Sequence, residues 1–275
     1  MTDSRGTVTG NGTGGAGTPR LQASWTFPDR SDVSSVADTS GNGPTLTAPN
    51  GGTATDGPKS DGAVMLDGAT QWLESERPVI RADQSYSVAA WVRLDAATMG
   101  AGMQLPPGWF AVTAVSQGGP SPTELTHCPF YLGARQHDEP QPDGSTKTVL
   151  RWCLTVAPED GSTTQREFEW EKAWSNEPIE PTSLDEWTFL VGVVDTSTHT
   201  AELYVPAAND HGSATLTDRW PYWEANGPLL LGQALWLGDR VDWWPGSIGP
   251  VQVYAGALTA ADAASLYTSG RLASG

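Results

Sequence analysis

From Leu21 onward, apolar side chains recur in short runs, alternating with polar ones or nearly continuous, such as Ala23-Ser24-Trp25-Thr26-Phe27, Ala63-Val64-Met65-Leu66 and Tyr86-Ser87-Val88-Ala89-Ala90-Trp91-Val92. Side chains two positions apart share one face of a strand, so each run predicts a strand with one face turned to a core. Further runs fall at 111–115, 130–132, 150–156, 167–170, 188–194, 201–205, 229–231 and 251–254. Gly, Pro, Asp and Asn punctuate them, the residues that supply turn conformations. Many short strands at that spacing predict an all-β chain folded as a two-sheet antiparallel β-sandwich, or jelly roll. Helical spacing is confined to 259–266, where Thr259 is an N-cap and Asp262 lies in the first turn, which predicts one short C-terminal helix.

Residues 1–20 are Thr, Gly, Asn and Ser with almost no apolar content, and read as a flexible tether before a single domain at 21–275. Pro106-Pro107 and the polar stretch 137–148 lie between predicted strands and read as long loops. No internal repeat of solenoid or propeller period occurs.

Charge narrows the partners. With 15 basic against 32 acidic side chains, a formal charge of -17 disfavours nucleic acid and anionic membrane surfaces. No run reaches the ~18 consecutive apolar residues of a spanning helix, so membrane insertion is not expected. The N-terminal stretch lacks the apolar core of a secretory signal, so the chain reads as either a mature product or one never exported by that route, and the expected location is extracellular or particle-associated.

Three segments together resemble the laminin-G-like, or concanavalin A-like, jelly-roll family. They are Val36-Ala37-Asp38-Thr39-Ser40-Gly41-Asn42-Gly43, the strand 86–92 followed later by 186–195, and Trp243-Trp244-Pro245-Gly246-Ser247-Ile248 running on to Val251-Gln252-Val253-Tyr254 and Ala257-Leu258-Thr259. The resemblance implies a β-sandwich over nearly the whole ordered chain. It also implies structural calcium, although the acidic residue the family carries after Gly-x-Ile is here Gly249, followed by Pro250. Lectins, adhesion modules and glycosidases share this architecture, so individual residues must decide between them.

Asp38, Gly41 and Asn42 offer a carboxylate, a carbonyl and an amide oxygen in one loop, the hard donors that calcium takes; the same residues also serve as a hydrogen-bonded Gly turn. Glu167-Phe168-Glu169-Trp170-Glu171 places three carboxylates on one strand face, similar to the catalytic strand of laminarinase-type glucanases, with Glu167 and Glu171 as nucleophile and acid/base. Residues four apart on a strand are about 13 Å apart at the α-carbons, against the ~5.5 Å between carboxyl groups in retaining hydrolysis; a solvated strand face explains the same pattern. His127, His137, His199 and His211 share no metal-ligand spacing and read as surface residues.

Thirteen Trp is an unusual number, and indole faces stack on the C–H faces of sugar rings. Trp25, Trp91, Trp187, Trp223, Trp236 and Trp244 sit at strand or family-pattern positions and read as core. Trp109, Trp174, Trp220 and Tyr222 sit off that pattern, beside Pro, Gly or polar residues, and are the glycan candidates. If Phe130 lies opposite Arg151 in a hairpin, Cys128 falls opposite Cys153, within reach of a disulfide. The expected function is recognition of a carbohydrate or other surface polymer without catalysis, with a larger protein assembly held through the N-terminal tail. The rivals are a structural or protein-interaction subunit of an extracellular or phage-like particle, and a β-glucanase.

Overall fold

The computed structural model describes residues 18–27, 33–58, 61–100, 103, 105, 109–119, 127–157, 170–216 and 223–272. Two eight-stranded sheets face each other, and every strand pair in them is antiparallel. The first runs Asp210–Thr215, Thr200–Val205, Thr188–Asp195, Tyr86–Leu94, Pro245–Ala255, Ala63–Asp67, Thr53–Thr55, with Arg20–Trp25 also paired to Pro245–Ala255. The second runs Glu171–Pro178, Thr146–Val156, Phe130–Pro140, Ala111–Gln117, Leu229–Leu231, Leu73–Ser75, Leu46–Thr47, Ser35–Val36. A separate two-stranded hairpin, Ala234–Trp236 with Asp239–Val241, follows the Leu229–Leu231 strand.

The alternation read from the sequence sorts side chains between the core and the two outer faces. Val88, Ala90 and Val92 join the core between the sheets, while Ala89 and Trp91 fall into a second cluster on the far face of the first sheet. Across the core, the Tyr86 and Phe130 rings lie 5.4 Å apart. Trp25 and Trp244 are wholly buried there, as their strand positions predict; each side chain of that size contributes roughly 2–3 kcal/mol by removal from water. The C-terminal helix Ala260–Ser269 has Thr259 as its N-cap and a complete capping box with Asp262. A second helical turn, Ala96–Met99 capped by Asp95, carries no apolar periodicity and was not expected.

Three expectations change. Residues 137–148 are not a long loop: Phe130–Pro140 and Thr146–Val156 continue as a hairpin whose last pair is Pro140 with Thr146. Cross-strand contacts, Thr148 Oγ1 to Asp138 at 2.7 Å and Arg151 with Glu139, hold the polar ribbon together. That register also removes the disulfide. Phe130 lies opposite Val156 and Cys153 opposite Gly133, so Cys128 is five residues out of step, and both cysteines are buried thiols. His127 is not at the surface: it is buried between the Trp170 and Trp236 rings, with centroids 5.3 and 4.7 Å away. In the acidic segment, the described strand begins only at Glu171, Trp170 before it is buried, and Glu167 and Glu169 lie outside the described residues.

Gly249 has a packing reason. A Cβ there would stand 2.9 Å from Pro58 Cδ and 3.0 Å from Trp91 Cβ, so no acidic side chain fits without displacing both.

Candidate functional site

On the strand Phe130–Pro140, Phe130, Leu132 and Ala134 face the core, which turns Tyr131, Gly133 and Arg135 to the outer face of the second sheet. The neighbouring strand carries a bulge between Thr113 and Val115. Gly133 permits its close approach, since a Cβ there would be 2.1 Å from the Val112 carbonyl oxygen. Bulges of this kind re-aim side chains beside binding sites.

The hairpin at 234–241 brings the remaining groups. Leu237 and Gly238 at its tip have positive φ, 50° and 84°, as a tight two-residue turn requires. Asp242, at φ 55°, turns the chain again, a conformation that Asp tolerates through its short polar side chain. Its carbonyl accepts the Thr113 N–H at 2.8 Å, and its Oδ2 accepts from Thr113 Oγ1 at 3.2 Å and Arg135 Nη2 at 3.1 Å. Past this turn Trp244 is buried in the core, while Trp243 stays partly exposed.

Arg135 and Asp242 form an ion pair at the base of a cleft lined also by Trp109, Tyr131, Trp236 and Val241. The pair is well sheltered, with side-chain exposures of 3% and 14%, so neither charge is free to reorient into water. The Arg135 guanidinium lies 5.0 Å from the Tyr131 ring centroid and 5.7 Å from that of Trp109, within cation–π range. Burial pushes the Tyr131 phenol well above its ordinary pKa. Its hydroxyl donates to the Leu235 carbonyl at 2.9 Å and accepts from the Cys128 N–H at 3.1 Å, so it clamps the hairpin. Trp170 stacks on Tyr131 at 5.5 Å and meets Trp236 at 5.1 Å, which stiffens the wall from behind. Trp109 is 52% exposed and is the one large apolar side chain left exposed among the described residues.

Of the four aromatic candidates, Trp109 is at this cleft. Trp174 is on the edge strand of the same sheet, 4.7 Å from the His137 ring, and does not line the cleft. Trp220 and Tyr222 lie outside the described residues. Trp236, expected in the core, packs against it half-buried and also lines the cleft. Arg135 and Asp242 had no motif to announce them; strand parity gives Arg135, but only the turn at Asp242 brings the carboxylate beside it.

The Asp38 loop is arranged differently. The Asp38 carboxylate accepts from Ser24 N–H at 2.7 Å, Ser40 Oγ at 2.9 Å, and the Asn42 and Gly43 N–H groups at 3.0 Å each. Partial burial works to raise its pKa, but these donors outweigh it and hold the group below its usual value. The Asn42 carbonyl takes a hydrogen bond from the cationic Arg77, and the Asn42 amide donates to the Leu21 carbonyl. An acid whose oxygens already face four donors ties this turn to the first strand. Among the described residues no three His, Cys, Asp or Glu side chains cluster as a metal site.

An antiparallel two-sheet sandwich closed by one short C-terminal helix is the architecture of jelly-roll domains. Residues 67–264 match the model of the Concanavalin A-like lectin/glucanases superfamily, and the chain belongs to that family. Domain 4 of AbnA, an extracellular GH43 arabinanase from Geobacillus stearothermophilus solved with arabinotriose, is similar in fold: TM-score 0.56, 21% identity, covering 90% of this chain and 98% of that domain. Trypanosoma rangeli sialidase solved with sialic acid is similar at TM-score 0.55 and 14% identity, with 91% of this chain matched to 33% of the enzyme. No curated protein matches the sequence.

Proposed function

We propose that this chain is a non-catalytic carbohydrate-recognition module and that the cleft beside Trp109 receives the sugar. The observation that carries the reading is the half-exposed Trp109 ring standing beside the sheltered Arg135–Asp242 pair. An indole face supplies apolar contact to a sugar ring, while a guanidinium and a carboxylate at its edge donate to and accept from hydroxyls. The structures of similar fold include an arabinanase domain solved with arabinotriose, which supports a saccharide as the ligand class without naming it. Hydrolysis by the usual route asks for two carboxyl groups about the scissile bond; Asp242 is the single carboxylate among the described residues lining this cleft, and it is bonded to Arg135. The module would meet its ligand outside the cell or on a particle surface.

A glycan array with wild type and Trp109→Ala tests this. Retention of at least one saccharide family is expected, weakened about tenfold or more by the variant, since a stacked ring contributes roughly 1–3 kcal/mol. No retention, or equal retention by both proteins, would move the assignment to a protein-interaction role. Release of reducing ends from a β-glucan would replace it with a glucanase.

A further inference from the structure

Resting on that reading, we infer that the ligand is an uncharged oligosaccharide at least two units long, whose chain crosses Asp242 from the Trp109 cleft into a second cleft walled by Trp243 and Phe110. The two clefts share a wall residue: Asp242 lines both. The Trp109 cleft alone encloses about 140 Å³ and the second about 370 Å³. The first is below the ~300 Å³ at which ordinary ligand sites begin and the second is above it, so a ligand seated on Trp109 gains the usual room only by reaching the second cleft.

The wall of the second cleft is held in place before any ligand arrives. Trp72 meets Trp243 edge to face at 5.9 Å. Trp72 in turn donates its indole N–H to Glu74 at 2.9 Å and lies under Arg240, whose Cζ is 4.1 Å from its ring centroid. Arg240 and Glu74 pair at 3.4 Å. A ring fixed in this way loses little freedom on binding. Asp242 is equipped to serve both sides, because the bonds from Arg135 and Thr113 both go to Oδ2. Among the described residues, Oδ1 is the acceptor left for a sugar hydroxyl.

Charge selects the ligand class. Among the described residues, the charged side chains lining the two clefts are Arg135 and Asp242, one of each sign and paired with each other. Around them the molecule carries a formal charge of -17. A polyuronate would bring further negative charge to a strongly negative surface, with its one lining cation already matched.

Isothermal titration at low salt tests both halves, with linear arabino-, xylo- and β-gluco-oligosaccharides of one to five units and oligogalacturonates as the acidic probes. Wild type should bind the trimer of a neutral series at least tenfold more tightly than the monomer, and oligogalacturonates at least tenfold more weakly than that trimer. Trp243→Ala should abolish the gain with length and leave monomer affinity in place, whereas Trp109→Ala weakens every length. Trp243→Phe supplies the same readout, in smaller measure, if the alanine variant fails to fold. Asp242→Asn keeps the shape and suits the left-handed backbone; it should weaken neutral trimer binding and narrow the disadvantage of oligogalacturonates. Equal affinity for monomer and trimer, an unchanged trimer affinity in Trp243→Ala, or tightest binding of an oligogalacturonate overturns the inference, and continued sensitivity to Trp109→Ala would then leave the sugar reading standing. Binding of none of these saccharides by wild type would overturn both.

Discussion

Both outer faces of the sandwich carry aromatic clusters, and the chain closes one while leaving the other open. On the first sheet, Trp91 lies 5.0 Å from Phe189 and 5.5 Å from Tyr267, and the helix Ala260–Ser269 lowers Ala263, Leu266 and Tyr267 onto them. The approach to that helix is pinned by Ser87, whose hydroxyl accepts the Leu258 N–H and donates to the Gly256 carbonyl, at 2.9 Å each. On the second sheet no helix follows among the described residues. The 234–241 hairpin covers Tyr131 and Trp170 with Trp236, but it stops short of Trp109 and sets Arg135 and Asp242 beside it. Aromatic density alone therefore does not mark a site. What separates the two faces is whether the chain itself supplies the cover, and whether polar groups converge where it does not.

The contrast breaks most sharply under mutation. Phe189→Ala removes a ring packed between Trp91 and Tyr267 and should lower unfolding stability by about 3–5 kcal/mol in urea, with glycan affinity unchanged. Loss of binding without loss of stability would transfer the site to that face. Trp109→Ala should do the reverse, shifting stability by no more than about 0.5 kcal/mol while affinity falls tenfold or more. A large stability loss here would make Trp109 a packing residue.

Acid separates the loop carboxylates from both faces. Partial burial works to raise the Asp67 pKa, but the Thr70 hydroxyl and the Thr70, Ala69 and Gln71 N–H groups outweigh it and bring it to about 2. Asp38 is lowered in the same way. Groups depressed on folding contribute stability that is complete above the unfolded value near 3.8 and is lost as pH falls toward about 2. Asp67 is exposed and Asp38 half-buried, so solvent screening keeps each contribution to about 1 kcal/mol or less. Urea midpoints at pH 5 and pH 3 should differ less in Asp67→Asn than in wild type; an unaltered difference would remove Asp67 as a source.

The smallest effect concerns metal. With its oxygens facing backbone and hydroxyl donors, the Asp38 loop should hold without a cation, so chelator should leave the melting temperature unchanged. A fall of several degrees, reversed by calcium, would restore the metal reading of Asp38, Gly41 and Asn42.

Much of the fold was legible because strand alternation is local. Tyr86 to Leu94 and Thr188 to Asp195 reveal their inward faces in a few residues of sequence, and Thr259 with Asp262 spells out a helix start. Legibility failed where pairing replaced apolar pattern. The ribbon beyond Gln136 is strand because backbone register and polar cross-strand contacts make it so, and a polar sequence carries no trace of that. The same register put Cys153 opposite Gly133, which no reading of spacing alone would choose.

By itself, then, the amino-acid sequence determined the all-β class, the inward faces of the long strands, the C-terminal cap, the buried Trp25 and Trp244, and a charge that disfavours polyanions. Only the tertiary structure decided which aromatic cluster stays open, that Trp236 lines a cleft, and that Arg135 meets Asp242. The physical reason is range. Periodicity and capping act between residues a few positions apart, whereas this ion pair joins residues 107 apart, brought within 3.1 Å by a bulge, a glycine approach and a left-handed turn whose combined geometry exists only in the folded chain.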